Sequence, residues 1–263
     1  MGKRRTHWTK TMFVERPDLW LYSMNRGWNI APKIARQIRK LLKRYGVVKG
    51  RVLELGCGNG RITSNLAKLG FSTVGVDISP LYIEDAKKRA VRMGVKPLFF
   101  QGDIRKIDRI VRGKFDVAIS IWTSLGFYDV RTDEILFKKV ARLLRKNGLF
   151  FILFTMSRER LNSIFCQHLY DESEKYIVLN KNVYDKEHSI IRNTWTYFKK
   201  VDKNLMYEDE FSFCLHIYAI PDFVRMAENA GMILKDAFHS LMTLEPLRND
   251  SPANLIFQKT DHS

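Results

Sequence analysis

The chain has 263 residues, 45% of them hydrophobic, a formal net charge of +17 and three cysteines. That length suits one large domain or a core domain with an insertion, and the composition supports a sizeable core. No apolar run approaches the roughly 18 residues of a membrane span, and Cys57, Cys166 and Cys214 are too scattered for a disulfide framework or a metal site.

Residues 1–46 read as an N-terminal arm and a basic helix. Met1 to Trp8 are basic but lack the apolar stretch of a secretory signal, so a cytoplasmic setting with free thiols and no membrane partner is expected. Residues 1–28 carry Trp8, Phe13, Trp20, Tyr22 and Trp28, too many aromatic side chains for a disordered tail. The arm is expected to pack on the domain, over a ligand cleft or over a hydrophobic edge. Ile30, Ile34, Ile38, Leu41, Leu42 and Tyr45 follow helical spacing and predict an amphipathic helix over 30–45, capped by Asn29 and ended by Gly46. Lys33, Arg36, Arg39, Lys40, Lys43 and Arg44 fill its other surface. Residues 1–50 hold 13 Lys and Arg against Glu15 and Asp18. Such a face is either a solvated surface or an electrostatic platform for RNA.

From Arg51 strands and helices alternate. Strands are expected at 51–55, 72–76, 96–100, 115–120 and 148–154, and helices at 61–69, 80–93, 104–111 and 131–145, the last stopped by Asn147-Gly148. This rhythm implies right-handed βαβ units and a parallel sheet over a core of residues 47–156. Beyond it the pattern changes. A short helix over 158–168 precedes strands at 175–180, 189–199 and 206–218. Phe211, Phe213, Leu215 and Ile217 alternate with polar residues at the period of an antiparallel strand, and Asp202-Lys203-Asn204 is a hairpin turn. Residues 157–218 thus read as an antiparallel insert, a lid or substrate subdomain. Residues 219–263 supply a last helix at 221–230, ended by Gly231, and closing strands at 232–238 and 254–259.

Three signals sit where strands end. Gly56-Cys57-Gly58-Asn59-Gly60 follows the first strand and lets a ligand approach bare backbone at a helix N-terminus. Asp77 stands at the tip of the second strand, where a carboxylate takes the ribose hydroxyls of an adenosine ligand. Gln101-Gly102-Asp103-Ile104 follows the third, with an acceptor for an amine and an apolar neighbour for a ring. Glu54 precedes the turn and can brace it or meet a ligand ammonium through water.

The ordered set Val-Leu-Glu-Leu-Gly-Cys-Gly-Asn-Gly-Arg, Val-Gly-Val-Asp-Ile-Ser, Gln-Gly-Asp-Ile, Phe115 to Ser120 and Leu143 to Leu149 resembles the class I S-adenosylmethionine-dependent methyltransferases. The resemblance covers about residues 47–155. It implies a doubly wound, seven-stranded, mostly parallel Rossmann-like sheet whose last two strands form an antiparallel hairpin. The insert before the last helix resembles a small archaeal and bacterial branch. The implied cofactor is S-adenosylmethionine and the product S-adenosylhomocysteine. By resemblance, Gly56, Cys57, Gly58 and Gly60, with Glu54, surround the methionine part. Asp77 takes the ribose diol, Ile78 lies on adenine, and Asp103 and the Ile104 amide face its edge. Ser120 and Ile121 line the sulfonium side.

The acceptor half is less marked. Ser120-Ile121-Trp122-Thr123-Ser124 lacks the proline pair that amine- and amide-methylating relatives carry there, and the cysteine contexts differ from those of cytosine-C5 enzymes. A ribose-methylating tetrad would need an acid at Ser120. Trp122, Ser124 and Tyr128 are expected to face the acceptor, with Arg192, Trp195, Tyr197, His216 and Tyr218 forming a lid. His216 is the candidate base, and Tyr128 a second catalytic candidate. A small-molecule acceptor is the leading expectation. RNA methylation using the basic helix, and a cofactor-binding regulator without turnover, remain as alternatives.

Overall fold

A computed structural model describes residues 6–122 and 124–260. The arm is helical: α1 (Trp8–Lys10), a π-helical turn (Thr11–Glu15) and α2 (Asp18–Arg26), followed by α3 (Ala31–Arg44). Then come β1 (Arg51–Leu55), α4 (Arg61–Lys68), β2 (Ser72–Asp77), α5 (Pro80–Arg92) and β3 (Leu98–Gln101). A 3-10 turn (Ile104–Lys106) leads into α6 (Ile107–Ile110), β4 (Phe115–Ile121), α7 (Val130–Leu143) and β5 (Leu144–Thr155). After α8 (Arg158–Ile164) the chain forms β6 (His168–Glu172), β7 (Tyr176–Asp185), β8 (Ile190–Val201) and β9 (Asn204–His216). It ends with α9 (Ile220–Glu228), β10 (Met232–Phe238) and β11 (Ala253–Lys259).

The main sheet has the order β10-β11-β5-β4-β1-β2-β3. Neighbours from β5 to β3 are parallel, while β11 is antiparallel to both β5 and β10. This is the seven-stranded sheet expected from the sequence. The pleat divides its apolar residues between two layers. Leu53, Leu55, Phe150 and Ile152 face the cluster under α7 and α9, while Val52, Ile119, Phe151 and Leu153 face the one under α3 and α4. Strand order reverses at β1, where Leu55 lies beside both Val76 and Ser120, so a crevice opens at the carboxyl ends of β1, β2 and β4.

The insert is a separate antiparallel sheet in the order β6-β7-β8-β9. Asp202 takes a left-handed φ of 53° in the tight turn from β8 to β9. One face of this sheet is covered by the arm. Met12 and Leu19 pack with Tyr176, Val178, Tyr197, Phe211 and Phe213, and Trp20 stacks on Trp195 with centroids 4.8 Å apart. Arg16 pairs with Asp209, and Arg26 with Asp171.

Local expectations fail in three places. Asn29 does not cap α3: the cap position is Ile30, with no side-chain bond, and the helix begins at Ala31 with Pro32 in its first turn. Asn147-Gly148 does not end α7. That helix stops at Leu143, and Asn147, at φ 58°, lies within β5, where it accompanies a shift of register against β4. The helix after Ser157 stops at Ile164, and His168 begins a strand rather than closing a helix. Among the described residues no helix is long and apolar enough to cross a membrane.

Candidate active site

The glycine turn is held in left-handed conformations, with φ of 67° at Gly56, 53° at Gly58 and 72° at Gly60, a region that side chains avoid. A Cβ at Gly58 would meet the Sδ of Met24, 2.8 Å away, so α2 lies directly on the turn. Asn59 donates to the Asn25 side chain at 3.1 Å and strengthens that contact. Cys57 points into a packing cluster with Ile83, Ala86 and Phe99.

Asp77 is buried and accepts from the Gly58 and Ser79 N–H groups at 2.8 and 2.9 Å. Burial pushes its carboxyl up to about 6 despite those bonds. Glu54 is also buried and accepts from the Thr63 hydroxyl, tying β1 to α4. Burial pushes it up to about 7. Of the two roles open to it from sequence, this contact is the bracing one.

Arg61 follows the last glycine and carries no marking in the sequence beyond that position. Its guanidinium lies 3.9 Å from the centroid of the Trp122 ring, and its buried Nε has no hydrogen-bond partner. It forms no ion pair among the described residues. Burial lowers its pKa, although Glu54 and Asp77 act in the opposite direction. Trp122 itself takes a φ of 60° and packs against Phe154. Ser124 is buried at Gly56, where its Oγ donates to the Leu55 carbonyl at 3.5 Å.

At the β3 end Asp103 caps the 3-10 turn and pairs with Arg105 at 2.6 Å. Arg105 lies over the Tyr128 ring at 3.8 Å, and His7 stacks on the same ring at 4.4 Å. Thr9 and Tyr128 share a hydrogen bond of 2.9 Å between their hydroxyls. The arm therefore pins Tyr128. Trp8 and Phe13 pack against Phe127 of the same loop. Ile78 and Ile104 are half-buried, while Ser120 and Ile121 are buried at the tip of β4.

The insert meets the core at a buried acid that sequence reasoning passed over. Asp133, in the first turn of α7, accepts from the Gly126 N–H and the Tyr218 hydroxyl, each at 2.7 Å. Burial pushes it up to about 6. Gly126, at φ 82°, in turn accepts from the His216 N–H at 2.8 Å. These bonds fasten the end of β9 to the loop leaving β4. Beside them lies a cavity of about 140 Å³ whose walls include Leu125, Thr155, Ile191, Asn193, His216 and Tyr218.

Of the expected lid residues, His216 and Tyr218 meet in this cavity. The others do not. Arg192 stands between Ile191 and Asn193, so the pleat turns it to the opposite, exposed face. Tyr197 is buried under the arm, and Trp195 is stacked on Trp20. Burial and Arg158 lower the His216 pKa, while Asp222 opposes them.

Residues 52–148 match the family model of a methyltransferase domain. The Bacillus subtilis protein YqeM is 36% identical over 102 residues, 38% of this chain and 40% of its own length. A ubiquinone biosynthesis O-methyltransferase of Chelativorans is 28% identical over 124 residues, 47% of this chain and 46% of its own. The matched stretch thus spans less than half of either relative. Among solved structures, an S-adenosylmethionine-dependent methyltransferase from Clostridium acetobutylicum superposes with a TM-score of 0.75 at 16% identity, covering 87% of this chain and 91% of that one. CalS10, an amino pentose methyltransferase from Micromonospora echinaspora seen with its cofactor bound, gives 0.70 at 16% identity over 91% and 96%. The fold is that of S-adenosylmethionine-dependent methyltransferases. Within that fold, residues 52–148 are the stretch that matches a methyltransferase domain.

Proposed function

We propose that the protein is an enzyme that transfers the methyl group of S-adenosylmethionine to a small-molecule acceptor held between the core and the insert. The observation that carries this reading is the enclosure. The arm lies on the glycine turn, and the insert is bonded to the loop leaving β4 through His216, Gly126, Asp133 and Tyr218.

The residues present fit the cofactor. The glycine backbone of Gly56, Gly58 and Gly60 would cradle the methionine part, and the Arg61 guanidinium, whose Nε has no hydrogen-bond partner, would meet its carboxylate. Each Asp77 oxygen accepts from one backbone N–H, which leaves lone pairs for a ribose diol. Ile78 and Ile104 would flank adenine. Asp103 would reach its amine once Arg105 yields one of the oxygens it holds. Ser120 and Ile121 would line the sulfonium side. When bound, the cofactor supplies a methyl group already activated by a positive sulfur. The chain's own task is then alignment and exclusion of water.

A small acceptor is supported by the ring-sized cavity and by the likeness to an amino pentose methyltransferase in fold and to a ubiquinone biosynthesis O-methyltransferase in sequence. The six exposed cations of α3 are what an RNA substrate would use instead. Incubation with methyl-labelled cofactor and size-fractionated cell extract separates these readings. Label is expected in small metabolites. Label in RNA would replace the small-molecule reading, and bound cofactor with no label in any fraction would leave a regulator.

A further inference from the structure

The cavity beside the insert has uneven walls. Leu125, Leu161, Ile191, Leu215, Ile217 and the ring of Phe223 form most of it. Its polar groups are few, and the Tyr218 hydroxyl is already committed to Asp133. The volume, about 140 Å³, suits a single six-membered ring, since an apolar cavity of about 150 Å³ takes up benzene. A sugar ring of that size would press several hydroxyls against aliphatic carbon, at a cost of about 1–3 kcal/mol for each one left unpaired. A ring with one hydroxyl avoids that cost.

His216 is the acceptor for such a hydroxyl. Its backbone is fixed to Gly126 at 2.8 Å, and its ring lies 4.7 Å from that of Tyr218. The charged groups that bear on it, Arg158 and Asp222, are paired with each other at 2.6 Å. Burial lowers the pKa of the imidazole and makes it a weaker base than a free one. A weak base matches an acidic hydroxyl, such as a phenol with a pKa of about 10 as in tyrosine, and not an aliphatic alcohol. Asn193 is buried in the same wall with an amide nitrogen that has no partner, a donor left over for the same oxygen.

Building on the methyltransferase reading, we propose that this cavity takes the ring of a monocyclic phenol, and that its hydroxyl, bonded to His216, is the methyl acceptor. The new carbon–oxygen bond uses an oxygen pair, the carbon–sulfur pair stays with sulfur, and the hydroxyl proton passes to His216 and on to water.

The test uses full-length protein saturated with S-adenosylhomocysteine. Phenol, cyclohexanol and methyl xylopyranoside are titrated and read by ligand-observed NMR. Phenol is expected to bind most tightly, and the pyranoside at least tenfold more weakly. Ile191→Phe and Leu161→Phe each put a larger side chain into the cavity wall. Each is expected to weaken phenol at least tenfold while S-adenosylhomocysteine binding, read by calorimetry, stays within twofold. A pyranoside that binds as well as phenol, or phenol binding untouched by both substitutions, overturns the proposal. Cofactor product that binds without any phenol binding overturns the acceptor assignment alone. Product that does not bind at all overturns the methyltransferase reading beneath it.

Discussion

Arg61 is a half-buried cation with no ion-pair partner among the described residues. Removing a guanidinium from water is costly, and the face of Trp122 returns only about 0.5–2 kcal/mol. Glu54 and Asp77 act on it without pairing directly, and on the proposed reading the methionine carboxylate of the cofactor supplies a direct partner. A charged hydrogen bond of this kind contributes about 1.5–3 kcal/mol, which is roughly ten- to hundredfold in affinity. Arg61→Met should weaken S-adenosylhomocysteine by that factor. It should leave 5′-methylthioadenosine, which has the nucleoside but no carboxylate, unchanged. Calorimetry with both ligands checks this, and an equal loss for the two would place Arg61 outside the methionine end. The ligand-free variant should melt no lower than the parent, because a half-buried charge with no direct ion pair has been removed.

At the scale of elements the arm and the insert depend on each other. The inner face of β7, β8 and β9 presents Tyr176, Tyr197, Phe211 and Phe213, and what covers them is Met12, Leu19 and the arm's aromatic rings. Deleting residues 1–26 uncovers that face. Burial of each such side chain contributes about 1.5–3 kcal/mol, so the truncated protein should melt many degrees lower and bind a hydrophobic dye. A truncated chain that melts like the parent would show that the sheet stands without the arm. The parallel core was legible in the sequence because each of its strands is an apolar run closed by a turn, and because Gly56 to Gly60 punctuates β1. The edge strand β6 was not, since His168 to Glu172 is largely exposed and shows no alternation. Asn147-Gly148 carried a genuine left-handed signal, but the chain uses it inside β5 rather than at a helix end. The arm's aromatic content announced packing without naming its partner, which lies some 150 residues further along the chain. Asp133 read as an ordinary acid in a first helical turn. Its role needs Tyr218, 85 residues away.

Over the whole molecule, three buried carboxyls set the response to pH. Glu54 is raised to about 7, and Asp77 and Asp133 to about 6, in each case chiefly by burial. Unfolded, such groups titrate near 4. Between pH 4 and 7 the folded protein therefore holds protons that the unfolded chain has released, and stability falls as pH rises through that window. Each pKa unit separating the folded from the unfolded chain corresponds to about 1.36 kcal/mol. Surface acids such as Asp108, paired with Lys139, and Asp129, which accepts from Thr132, are lowered and titrate below the window, so they do not mask the trend. The ligand-free melting temperature should decline from pH 4.5 to 7. Cofactor binding carries the opposite sign, because on the proposed role only ionised Asp77 offers both oxygens as acceptors to the two hydroxyls of a ribose diol. Affinity for S-adenosylhomocysteine should climb by up to about tenfold per pH unit below pH 6 and level off above it. Asp77→Asn should bind at least tenfold more weakly and lose the slope, its one amide oxygen keeping only one of the bonds from the Gly58 and Ser79 N–H groups. Calorimetry at pH 5, 6 and 7 reads both effects. An affinity that is flat in the parent, or a slope that survives in Asp77→Asn, would move the diol contact to another residue.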